Sequence, residues 1–106
     1  MPPENPGAQE ILAVAVFKPV RGLETASLKT IHELSLIVTS KGYGRDCLYR
    51  DSQSQYVLLR YWRSEQSRAA ALEDPDMLRC WAKLGNEIEI VTVYETLSEV
   101  LPVKAT

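Results

Sequence analysis

Ile11-Leu12-Ala13-Val14-Ala15-Val16-Phe17 decides how the rest of the chain must be arranged. The run is short, rich in β-branched residues and closed by Pro19, which suits a central β-strand better than a helix. It does not alternate apolar with polar residues, so both of its faces need cover. Val57-Leu58-Leu59-Arg60-Tyr61-Trp62 hardly alternates either, and Ile88, Ile90, Val91, Val93, Tyr94 and Leu97 mark a last strand of the same kind. A single chain of 106 residues has helices enough for one face of such a sheet.

Between these strands the period changes. Leu28, Ile31, Leu34 and Val38 recur at three- and four-residue spacing across residues 24–40, and Gly42 supplies a C-terminal stop. Ser35 falls inside that stripe, and Leu36 falls on the opposite side, where a monomer would expose it. Arg45 to Asp51 and Gln55 to Arg63 read as two strands joined by the polar loop Ser52-Gln53-Ser54. Ser64 is a helix N-cap with Glu65 in the first turn. That helix breaks near Glu73, where Asp74-Pro75 begins a second segment carrying Met77, Leu78, Trp81 and Leu84 and ending at Gly85.

Strand, helix, strand, strand, helix, strand is the split β-α-β plan: an α+β, ferredoxin-like βαββαβ domain over residues 10–97. Right-handed crossovers put the helices on one face of a four-stranded antiparallel sheet. Leaving four to six apolar side chains of the other face in water would forfeit roughly 1.5–3 kcal/mol each. That total rivals the whole stability of a small domain. A homodimer joined through the sheet faces is therefore expected.

The totals narrow the function. The composition, 45% hydrophobic and 25% charged, is that of an ordinary soluble domain, and the net charge of −2 offers no attraction for nucleic acid or an acidic membrane. Met1 to Gly7, with three prolines, has neither the basic nor the apolar region of a signal peptide. Residues 1–9 read as a disordered lead-in and 98–106 as a short tail, with the cytoplasm the expected location. Cys47 and Cys80 have no metal or redox spacing and are expected as reduced, packed thiols, so no metal is expected.

With this element order, residues 10–97 resemble the dimeric α/β-barrel superfamily, in its antibiotic biosynthesis monooxygenase-like group. Tyr61-Trp62-Arg63-Ser64-Glu65-Gln66-Ser67, followed by an alanine-rich turn and Pro75, carries the resemblance. The superfamily includes cofactor-free oxygenases acting on polycyclic phenols, haem-degrading enzymes, small isomerases and proteins with no assigned activity. The resemblance implies a dimeric α/β barrel and, in the oxygenase branch, no cofactor. A haem-degrading relative would carry a histidine on the second helix, where Arg79-Cys80-Trp81-Ala82 offers cysteine and tryptophan instead.

The candidate site follows from both readings. Trp62 matches the place where family oxygenases set a tryptophan at the substrate cavity, and its alternative is plain core packing. Strand alternation puts Arg60 on the same face, either to hold a phenolate or carboxylate or to pair with an acidic residue on a neighbouring strand or partner chain. Ala70, with Ala69 and Ala71, would leave space beside the aromatic wall or simply pack well in a helix. Tyr49, Tyr61 and Tyr94 are phenols on strands, placed to orient a ligand or to serve core and interface, and Trp81 is a further aromatic wall. His32, the lone histidine, is the nominal general base or else a surface residue on a helix flank. The combined expectation is a cofactor-independent monooxygenase-like protein acting on a small aromatic or polyphenolic substrate. Its alternative is a homodimer that binds a ligand or merely packs.

Overall fold

The computed structural model describes residues 10–101. Its elements are β1 (Ile11–Pro19), α1 (Glu24–Ser40), β2 (Gly44–Arg50), β3 (Tyr56–Trp62), α2 (Glu65–Leu72), α3 (Pro75–Leu84) and β4 (Ile88–Leu97). They form a ferredoxin-like α+β domain whose antiparallel sheet runs β2-β3-β1-β4. The lead-in expected over residues 1–9 lies outside the described residues.

Local chemistry explains most boundaries. The Ser64 side chain accepts a hydrogen bond from the Ser67 amide and so caps α2. Asp74 accepts from the Asp76 and Met77 amides, and Pro75 occupies the first turn of α3, where its missing N–H costs nothing. The break expected at Asp74-Pro75 is thus where α2 and α3 meet. Gly42, at φ 73°, turns the chain out of α1 in a conformation that side chains rarely tolerate.

Strand register assigns every side chain to a face. Ile11, Ala13, Ala15 and Phe17 of β1 pair with Trp62, Arg60, Leu58 and Tyr56 of β3, and these residues face the helices. Leu12, Val14 and Val16, opposite Tyr61, Leu59 and Val57, form the other face. On β3 the pattern is strict: Tyr56, Leu58, Arg60 and Trp62 are buried, while Val57, Leu59 and Tyr61 are only half-buried. The core joins Phe17 and Leu58 to Ile31, Leu34 and Val38 of α1 and to Met77, Cys80 and Leu84 of α3. Among the described residues no helix covers the face built from Leu12, Val14, Val16, Val57, Leu59, Tyr61 and Tyr94. Leu36 is exposed, as its place off the apolar stripe of α1 requires.

β4 is less sheltered. Ile90, Val91, Val93 and Tyr94 are each about half exposed, on both faces of the strand. Its pairing with β1 shifts register twice, between Leu12 and Val14 and between Val16 and Phe17. At the first shift Leu12 opposes Leu97 and Val14 opposes Tyr94, so Glu95 and Thr96 together face Ala13. That is a β-bulge, a device that turns side chains away from simple alternation.

Gly44 marks a close approach in the sheet. A Cβ on this residue would lie 2.1 Å from the Tyr61 carbonyl oxygen. Its strand partner is Trp62, so β2 starts flush against the end of β3 that carries the candidate tryptophan.

No helix among the described residues is long and apolar enough to cross a membrane.

Candidate functional site

A cavity of about 400 Å³ lies between the sheet and the helices. Its floor exists because β1 presents the small side chains of Ala13 and Ala15 there, with Val14 and Phe17 also bordering the space. Leu58, Arg60 and Trp62 of β3 flank the alanines on one side, and Ile90, Val93 and Glu95 of β4 flank them on the other. Ile31 and Leu34 of α1, Arg68 and Leu72 of α2, and Trp81 and Leu84 of α3 line the rest. The walls are thus largely apolar, with two tryptophans and three charged groups, which suits a small ligand with an aromatic body and a few polar atoms.

Arg60 and Trp62 both face this cavity, as strand alternation requires. Trp62 is buried, and the Arg60 guanidinium carbon lies 5.3 Å from the centre of its ring, within cation–π range. Arg60 is also paired. Its Nε and Nη2 donate to the two oxygens of Asp46 on the adjacent strand at 2.7 and 2.8 Å. Both side chains are more than nine-tenths buried. Ser35 Oγ donates to Asp46 Oδ2 at 2.6 Å, which explains a serine inside the apolar stripe of α1. Hence Arg60 combines both sequence readings: it lines the cavity, and its charge is balanced by a neighbouring strand. The fork to Asp46 uses two of the five N–H donors of a guanidinium.

The other candidates divide by location. Trp81 lines the cavity. His32 is exposed on α1 and is not among the lining residues. Tyr49 is exposed and pairs with Val57, on the face away from the helices. Tyr61 lies on that same face, with the Arg45 guanidinium 4.0 Å from its ring centre. Tyr94 also belongs there, opposite Val14. Ala69 and Ala70 are exposed on α2 and Ala71 is buried in the core, so the space beside Trp62 comes from Ala13 and Ala15 instead.

Glu95 and Arg68 are cavity residues that the sequence reading passed over. A carboxylate next to Val93 and Tyr94 in an apolar strand was a usable signal for Glu95. Arg68 carries no local signal, since an arginine on an amphipathic helix normally faces water. It contacts Glu65 of its own helix at 3.4 Å.

A second polar cluster holds the helices rather than a ligand. Lys41 Nζ donates to Asp74 Oδ2 at 2.8 Å and to Asp76 Oδ2 at 2.9 Å, and Tyr43 OH donates to Asp74 Oδ2 at 2.5 Å. These bonds hold the Asp74 carboxyl well below the usual carboxylate range and raise Lys41 above its ordinary value. The Tyr43 phenol is raised as well, mainly by its bond to Asp74. The cluster ties the end of α1 to the start of α3. Cys80 is buried, and desolvation followed by the nearby Glu33 carboxylate raises its thiol. A raised thiol is a poor nucleophile. Among the described residues no group of three metal-ligating side chains is assembled.

No model of a known protein family matches the sequence, and no curated protein matches it either. Solved structures do. SnoaB from Streptomyces nogalater, a cofactor-independent oxygenase, superposes with a TM-score of 0.69 at 17% identity, over 88% of this chain and 98% of its own. A protein from Bacteroides thetaiotaomicron, provisionally assigned as an antibiotic biosynthesis monooxygenase, gives 0.74 at 7% identity, covering 92% of this chain and 97% of its own. Rv0793 from Mycobacterium tuberculosis gives 0.69 at 18% identity over 87% and 99%. The ferredoxin-like fold expected from the element order is therefore the fold of the chain, and its structural neighbours include antibiotic biosynthesis monooxygenase-like proteins.

Proposed function

We propose that the protein is a cofactor-independent, monooxygenase-like enzyme that takes a small aromatic or polyphenolic substrate into the cavity between sheet and helices. The observation that carries this reading is the cavity itself: an alanine floor, two tryptophan walls and a buried arginine. An electron-rich phenolate can pass an electron to oxygen directly, so the protein's task is to bind the phenol, favour its anion and exclude water. In this reading Trp62 and Trp81 sandwich or wall the ring, and the uncommitted edge of Arg60 faces developing negative charge. The oxygenase among the structural neighbours supports the reading through its fold alone.

The same reading has the protein act as a homodimer. The uncovered sheet face from Leu12 to Val16 and Val57 to Tyr61 is apolar, and a second copy is the economical cover for it. Light scattering at micromolar concentration is expected to give the mass of two chains, and a stable monomer would defeat this part of the proposal.

A second reading has its own support. Asp46 already balances Arg60, and His32 lies away from the cavity, which favours a binding protein without catalysis. A thermal-shift screen against anthrones and polycyclic phenols, followed by oxygen uptake, separates the two. Ligand stabilisation that disappears in Trp62→Ala, with oxygen consumption, supports the enzyme. Stabilisation without oxygen consumption supports the binding protein.

A further inference from the structure

The residues that line the cavity divide by exposure. Phe17, Leu34 and Trp62 are buried, whereas Leu72, Ile90 and Val93 are 45%, 55% and 46% exposed. Ile90 and Val93 oppose Phe17 and Ala15, so both belong to the helix-facing side of the sheet. The cavity therefore opens to solvent along β4, through an apolar slot between that strand and Leu72 of α2. Trp81, which also lines the cavity, is only half-buried. β4 is an edge strand, and its outer backbone groups have no strand partner among the described residues.

The chain leaves β4 at Leu97, and the residues that follow are apolar. Val100 and Leu101 are 94% and 77% exposed, and Pro102 and Val103 continue the run in sequence. An apolar slot and an apolar segment thus stand in water on one chain, only a few residues apart. From Leu97 back to Val93 is about 13 Å of strand, and after a reversal at Ser98-Glu99 an extended stretch over residues 100–104 reaches roughly 16 Å. So short a tether holds the segment near the slot at an effective concentration on the order of millimolar, well above that of a second copy at micromolar concentration. The segment that follows β4 is thereby favoured as the occupant over a partner chain.

We propose that Val100 to Val103 lie along the free edge of β4 and close this slot. Leu101 and Val103 are two apart and so share one face of an extended segment, the face turned toward Leu72 and Trp81. Pro102 lacks an N–H and is tolerated on an edge strand. The described structure, with Val100 and Leu101 in water, is then the open form, and entry of a ligand competes with closure. This goes beyond the reading above, because it holds whatever the ligand's chemistry and concerns neither the outer sheet face nor any catalytic group.

The test uses the full chain with a photoreactive benzophenone side chain in place of Leu101. Isotope-labelled and unlabelled chains are mixed in urea, refolded together and irradiated, and the cross-linked peptides are mapped by mass. Cross-links from position 101 to the peptides around Leu72, Trp81 or Ile90, always joining like-labelled partners, are expected. Cross-links that join labelled to unlabelled peptides would make a second copy the occupant, and cross-links only to other parts of the chain would leave the slot open; either overturns the proposal. Acrylamide quenching of tryptophan fluorescence gives an independent reading, chiefly of Trp81, since Trp62 is buried. Leu101→Asp/Val103→Asp is expected to raise the quenching constant and shift emission to longer wavelength. Leu36→Asp, an equally polar change at an exposed position of α1, is expected to match wild type in both. Circular dichroism checks that each variant keeps the fold. A double variant with the quenching and emission of wild type overturns the proposal as well.

Discussion

Removing Asp46 should be among the most damaging single changes in this domain, because of what it leaves behind. Asp46 is the acceptor for two N–H groups of Arg60, and both side chains are almost wholly buried. In Asp46→Leu the guanidinium stays charged at any accessible pH and has no anion beside it. Breaking one partner out of a buried pair costs about 3–5 kcal/mol. For a domain near 100 residues each kcal/mol moves the melting temperature by about 4–8 °C, so a fall of at least about 12 °C is expected. A small domain has only about 5–15 kcal/mol in total, so the variant should sit near the edge of folding. Ser35 Oγ loses its acceptor too, at 2.6 Å in the intact protein, which adds to the loss. The assay is urea unfolding followed by far-ultraviolet circular dichroism at one fixed protein concentration, since the stability of the proposed dimer would depend on concentration. The double variant Asp46→Leu/Arg60→Met removes both charges and should recover most of the loss, because apolar replacement of a buried pair is often neutral. A cost below about 1 kcal/mol for Asp46→Leu, or a double variant as unstable as the single one, would refute the reasoning.

Three further changes probe other parts of the structure. Gly44→Ala forces a Cβ against the Tyr61 carbonyl, so it should cost about 1–3 kcal/mol in urea unfolding, and an unchanged midpoint would contradict the close approach. Ala15→Phe should fill the cavity floor, abolishing fluorescence quenching by any aromatic ligand that wild type binds while the melting transition stays cooperative; retained binding would place the ligand elsewhere. Asp74 has a lowered folded-state pKa, so its stabilisation is present above the ordinary carboxylate value near pH 4 and is lost as pH falls below it. Lys41 has a raised one, so its contribution is present below its ordinary value and lost only above it. Asp74→Asn should therefore lower stability near neutrality and flatten the acid limb of the stability profile, and an acid limb as steep as that of wild type would exclude Asp74 as its source.

What was legible in the sequence was local. The three-and-four spacing of Leu28, Ile31, Leu34 and Val38 placed α1, and the two caps at Ser64 and Asp74 placed the starts of α2 and α3. Period-two alternation put Arg60 and Trp62 on one face with no knowledge of their neighbours. Register was not legible, because it depends on pairings between distant segments. Nothing near Arg60 in sequence names Asp46 as its partner, although Ser35 in an apolar stripe was a trace of the same buried group. The bulge that aims Glu95 is likewise a property of two strands together, and β4 alone gives only a carboxylate in an apolar run. Ala69 to Ala71 are the conspicuous small residues, but alanines suit a helix anyway. Ala13 and Ala15 are masked by the unbroken apolar run around them. Their spacing of two, between Ile11 and Phe17, was the sequence sign of a floor.

These observations bear on how the two faces of the sheet depend on each other. β1 is central, so the side chains of Ala13, Ala15 and Phe17 face the cavity while those of Leu12, Val14 and Val16 belong to the opposite face. β3 divides in the same way, with Arg60 and Trp62 inside and Leu59 and Tyr61 outside. A residue that shifts β1 or β3 by one position would exchange the two sets, turning apolar residues inward and the cavity floor outward. In the homodimer proposed above, cover on the outer face would do more than hide apolar surface: it would also hold the register of β1 against β3. A charge placed on the outer face, as in Leu59→Lys, should weaken both association and ligand binding although the residue never touches the cavity. Gel filtration and tryptophan quenching on the same samples test that link. Loss of association with unchanged binding would show that a single chain holds its register unaided.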